Sequence, residues 1–73
     1  MSHLPRLSGR ECIKALGKAG FSVIRQKGSH VILRKTEPFT MIVVPEHQEL
    51  DSGTLRAVIR QAGLSVEGFL ALL

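Results

Sequence analysis

A chain of 73 residues, 44% of them hydrophobic and 22% charged, can bury one small core and is neither disordered nor fibrous in composition. The single cysteine, Cys12, closes no disulfide within the chain, and it and the three scattered histidines lack zinc-ligand spacing. The net charge of +4 is laid unevenly: residues 1–35 carry eight Lys and Arg against one acid, Glu11, whereas the remainder carries Arg56 and Arg60 against five acids.

These features predict a single domain over residues 1–73 in a reducing, cytoplasmic setting, with no metal and no cofactor. The opening residues lack the apolar run of a secretory signal, and no stretch approaches the roughly 20 apolar residues of a membrane span. The basic first half would attract a polyanion, since Lys and Arg neutralise phosphates and release counterions without reading sequence. An ordinary solvated surface fits the same charges.

In chain order, Ser8 and Glu11 form a capping box that opens a first helix running to about Ala19, with Gly20 as its stop. Ile13, Leu16, Ala19 and Cys12 make its apolar stripe, while Arg10, Lys14 and Lys18, four apart, line another face. Residues 21–26 and 30–35 are rich in Val and Ile around Lys27-Gly28-Ser29, which reads as a β-hairpin. Residues 36–39 turn the chain, and residues 40–44 make a third strand that Pro45 ends. Asp51 or Ser52 caps a second helix in which Leu55, Val58, Ile59 and Ala62 recur at the helical period before Gly63. Ser65 caps a short third helix whose buried stripe is Val66, Phe69, Leu70 and Leu73.

The expected fold is therefore α+β, an α-β-β-β-α order with a three-stranded antiparallel sheet, helices on one face and a short C-terminal helix. That is also the order of a double-stranded-RNA-binding domain. Both strand parities are apolar: Phe21, Val23 and Ile32 fit one face, Ile24, Val31 and Leu33 the other. One helical layer covers only one of them, which leaves a face for a partner or for a second copy in a homodimer.

Of the histidines, His3 lies in the terminal segment, and His47 lies in an acidic loop as a surface or supporting residue. His30 opens the second strand beside Lys27 and Arg25, and histidine is the side chain type whose unperturbed pKa suits proton transfer near neutrality. A two-residue loop of Lys27 and Gly28 would set Arg25 opposite His30 on one face. RNA can then be cut without a metal, if a base deprotonates the 2′-hydroxyl and cations stabilise the charge that develops on phosphorus. A histidine at a strand start fits a structural role as well. Ser29 beside His30 makes no hydrolase triad, because neighbouring strand residues face opposite ways and no third group orients them.

Taken in order, Ala19-Gly20-Phe21, Gln26-Lys27-Gly28-Ser29-His30, Val44-Pro45-Glu46-His47, Gly53-Thr54-Leu55-Arg56 and the run from Ile59 to Ser65 resemble the HicA toxin family from Ser8 onward. The resemblance implies a double-stranded-RNA-binding-domain-like fold, translation-independent cleavage of mRNA and neutralisation by a HicB-type antitoxin. It also implies that His30 is catalytic, with Gly28 as the turn residue that presents it and Ser29 as its neighbour in the motif. The turn at 36–39 departs from the glycine-containing turn of many relatives.

The leading expectation is an endoribonuclease: His30 as general acid or base, Lys27 and Arg25 near the scissile phosphate, and Arg10, Lys14, Lys18 and Arg34 along the RNA backbone. The alternative is a non-catalytic double-stranded-RNA-binding module that reads duplex shape across the minor groove. Helix two offers it only Arg56 and Arg60. A third is a protein-interaction domain whose basic half meets an acidic partner.

Overall fold

The computed structural model describes residues 3–73; Met1 and Ser2, which open the segment read for a leader, lie outside the described residues. The elements follow as α1 (Gly9–Lys18), β1 (Ser22–Lys27), β2 (His30–Thr36), β3 (Phe39–Pro45), α2 (Ser52–Gln61) and α3 (Val66–Leu70). The α-β-β-β-α order and the antiparallel sheet, β1-β2-β3, are as the sequence predicts.

Local chemistry sets the helix limits. Ser8 accepts from the Glu11 amide at 3.0 Å while the Ser8 amide donates to the Glu11 carboxylate at 2.9 Å, so two otherwise unpaired amides at the helix start are satisfied. Asp51, rather than Ser52, caps α2. Both helices end in the same way: after α1 the amides of Gly20 and Phe21 return to the carbonyls of Gly17 and Leu16, and after α2 those of Gly63 and Leu64 return to Arg60 and Ile59. This double return needs a left-handed residue, and Gly20 and Gly63 sit at φ +100° and +76°.

The molecule measures 33 × 27 × 17 Å. Val31 and Leu33 of β2 and Ile42 and Val44 of β3 are buried beneath Leu16, Leu55, Ile59 and Phe69. Among the described residues, no polar side chain is buried. The helices rest on β3 and β2 and leave β1 overhanging, so every residue of β1 is exposed.

Expectations for β1, β3 and the C-terminal stripe need correction. Val23 pairs with Leu33, so it shares the helix-side face instead of lying with Ile32; a bulge at Ile24 shifts the register before Arg25 pairs with Ile32. Neither Val23 nor Ile24 enters the core, because β1 extends past the helical layer. In the C-terminal stripe, Phe69 is fully buried but Leu73 is exposed; Leu64 and Leu72 pack against the core in its stead. Leu73 lies beyond the end of α3, where the helical period no longer sets the direction of a side chain. The third strand is also longer at each end than residues 40–44, and the turn before it narrows to Glu37-Pro38, joined by a cis peptide bond.

Candidate active site

In the first hairpin Lys27 pairs with His30, so the loop is Gly28-Ser29 and not Lys27-Gly28. Gly28 has φ +60°, and among the described residues no non-glycine residue has positive φ. A positive φ at only the first central residue is the type II′ arrangement, which favours glycine there. The correction moves Arg25 one step: it stands opposite Ile32, and Lys27 takes the place opposite His30.

Residues directly opposite each other share a sheet face, and faces alternate along a strand. Val31 and Leu33 point into the core, so His30, Ile32 and Arg34 lie on the face that carries no helix. Arg25 and Lys27 lie there too, opposite Ile32 and His30. His30, Lys27, Arg25 and Arg34 are all exposed. The next residue, Lys35, belongs to the helix side, where its ammonium stands 5.7 Å from the centroid of the Phe21 ring.

The other predicted cations are elsewhere. Arg10, Lys14 and Lys18 are exposed on α1, across the sheet from His30. Arg10 is engaged: its guanidinium is 3.1 Å from the Glu46 carboxylate. Arg10 and Lys14 border a groove of about 250 Å³ between α1 and the overhanging β1, floored by Ile13, Val23 and Val31. His47 is exposed, and it supports the fold through its carbonyl, which accepts from the Gly9 amide at 2.8 Å. His3 is exposed as well. Among the described residues, no three His, Cys, Asp or Glu side chains gather in a way that could hold a metal.

The residues that hold the hairpin tip were not singled out from the sequence. The Gln26 amide donates both to the Gly28 carbonyl at 3.0 Å and to the Glu46 carboxylate at 2.9 Å, and the Glu46 amide donates to the Ser29 carbonyl at 2.6 Å. Glu46 thus joins the turn before His30 to the end of β3 and, through Arg10, to the start of α1. Gly9 makes the close approach possible: a Cβ there would collide with the Pro45 carbonyl oxygen and the Glu46 backbone. Gln26 and Glu46 both lie in segments that carry the family resemblance, but they are 20 residues apart, and nothing local pairs them.

The arrangement is an exposed imidazole at a rigidly tied strand start, with a primary amine opposite it and a guanidinium one pair further on the same face. It can move a proton next to a bound anion. The sequence model of one family, described as HicA toxin of bacterial toxin-antitoxin, matches residues 9–64. No curated protein matches the chain. No helix among the described residues is long and apolar enough to cross a membrane. Since the match spans well over half of the sequence and includes every strand and the first two helices, the chain belongs to the HicA family of toxins from bacterial toxin-antitoxin systems, and an antitoxin is its partner.

Proposed function

We propose that the protein is a metal-independent endoribonuclease of the cytoplasm that cuts mRNA, and that a HicB-type antitoxin silences it. The observation that carries this reading is the pairing of His30 with Lys27 on an exposed, cationic sheet face. RNA brings its own nucleophile, the 2′-hydroxyl. His30 carries one of the two proton transfers: either as base it takes that of the 2′-hydroxyl while the O2′–P bond forms and the P–O5′ bond breaks, or as acid it protonates the departing 5′ oxygen in the same step. Water completes the opposite transfer. The products are a 2′,3′-cyclic phosphate and a free 5′-hydroxyl.

Lys27 and Arg25 offset the charge that grows on the phosphoryl oxygens, which is the larger part of such catalysis. Gly28 and Ser29 form the turn that presents His30, and the Gln26-Glu46 bonds keep that turn from fraying. Arg34 meets the RNA backbone on the same face. Arg10, Lys14 and Lys18, on the far side, contribute long-range attraction that salt screens.

The test is incubation of purified protein with RNA in EDTA. Fragments ending in 2′,3′-cyclic phosphate are expected, and a requirement for a divalent ion would overturn the mechanism. Salt-dependent duplex binding without scission would favour the RNA-binding module instead. Co-expression with a HicB-type antitoxin is expected to yield an inactive complex.

A further inference from the structure

The helix-free face holds more than the groups near His30. Its cross-strand rungs run Lys27–His30–Pro45, then Arg25–Ile32–Val43, then Ser22–Arg34–Met41, and finally Thr36–Phe39. Each of the first three carries a cation, at intervals of about 7 Å along the strand, and none of the four carries a carboxylate. Between the cations the surface is apolar: Phe39, Met41 and Val43 are 67%, 50% and 45% exposed. A large ring that has left the core and lies in water at the far end of a row of cations calls for an occupant.

We infer that this face is the track for a single-stranded RNA segment, which runs along β2 from His30 over Arg34 and stacks an unpaired base on Phe39. This rests on the reading of His30 as the group that cuts RNA, and it adds the substrate's form and a residue that grips it. Three facts select this occupant. A cation on each of three successive rungs matches a polymer with a repeating negative charge better than one acidic patch. A second copy of the chain would set these cations against their own kind. A flat face with an exposed ring engages bases that are already unpaired, whereas a duplex keeps its bases stacked inside. From His30 to Thr36 the strand covers about 20 Å, enough for several nucleotides.

Phe39 therefore acts in binding and in the choice of site, about 20 Å from the proton transfer. Because it is exposed, replacing it leaves the core intact.

The experiment uses the full chain carrying His30→Ala, so that RNA is not consumed, and a fluorescein-labelled RNA of about twelve nucleotides, alone or annealed to its complement, followed by anisotropy. Tighter binding of the single strand is expected. Adding Phe39→Ala should weaken it roughly tenfold or more, the usual cost of losing one base stack. Phe39→Trp should bind as well as the parent, with tryptophan emission quenched by RNA. Equal affinity with and without Phe39→Ala, or preference for the duplex, would overturn the inference. So would loss of antitoxin capture by Phe39→Ala with RNA binding unchanged, which would make the face a protein-docking surface. The two readings fail separately: Phe39-dependent binding in a protein that never cuts RNA sinks only the nuclease, and cutting by His30 with binding indifferent to Phe39 sinks only the track.

Discussion

Lys27 and His30 stand directly opposite each other across a two-residue turn, both exposed on the sheet face that no helix covers. The pairing puts a primary amine directly beside an imidazole on an open surface. Lys27→Ala is expected to lower kcat by about a hundredfold, the usual cost of removing one group that stabilises transition-state charge. Lys27→Arg should recover part of the loss, and Arg25→Ala, one pair further along, should cost less than Lys27→Ala. Single-turnover cleavage of a short RNA measures all three. A larger loss from Arg25→Ala would mean that the scissile phosphate lies over the second rung.

The hairpin tip depends on Glu46, which receives both the Gln26 amide and the Arg10 guanidinium. Glu46→Ala is expected to lower kcat several-fold with KM little changed, at a stability cost of about 1 kcal/mol, because Arg10 in the pair is largely solvated although Glu46 is partly buried. Glu46→Gln keeps an acceptor and should rescue most of the activity, an outcome that loss of fold alone would not give. Gly9→Ala inserts a methyl where the Pro45 carbonyl already stands and should destabilise by roughly 1–3 kcal/mol in urea unfolding.

The helix ends, the order of elements and the exposed histidine follow from local rules: a capping box, glycines that take positive φ, and a proline at a strand end. The pairing of the first hairpin does not. Loops of Lys27-Gly28 or Gly28-Ser29 both contain the glycine that a tight turn needs, and they differ by one residue in what faces His30. The choice coincides with bonds that close over long sequence distance, from Gln26 to Glu46 and from the Glu46 amide to Ser29. Likewise Val23 and Ile24 fit opposite faces by simple alternation, but the bulge between them and the place where the helices rest decide which face each takes and whether it is covered. In α3, one turn of helix is too short for periodicity to reach Leu73.

Cys12 lies in the core on the inner face of α1, and burial pushes its thiol up to about 11 from 9.0 by disfavouring the thiolate. Its folded-state value is raised, so its contribution to stability is fully present below pH 9.0 and is lost as pH rises through about 11. A disulfide reagent at mild alkaline pH should modify it only as fast as the protein unfolds, followed by absorbance with and without urea. Rapid native-state labelling would show that α1 opens locally.

Asp51 acts in the opposite pH range. The Thr54 amide, donating at 2.7 Å, and then the Thr54 hydroxyl at 3.1 Å hold its carboxyl below its ordinary 3.8. A lowered value means that its contribution is present above 3.8 and is lost as pH falls through the lower, folded-state value. Asp51→Asn keeps a cap acceptor without a charge that titrates, so its melting temperature should fall less steeply under acid than the parent's. Asp51→Ala should melt lower at neutral pH. An unchanged acid slope in Asp51→Asn would assign acid sensitivity to other carboxylates.

The central claim is that one exposed imidazole moves the proton when RNA is cut. The most direct measurement compares the parent with His30→Ala on the same RNA in EDTA, with circular dichroism and melting recorded for both. The account predicts a loss of cleavage of at least about a hundredfold and an unchanged fold, as expected for an exposed side chain whose work is proton transfer. A folded His30→Ala variant that cuts as fast as its parent would contradict it.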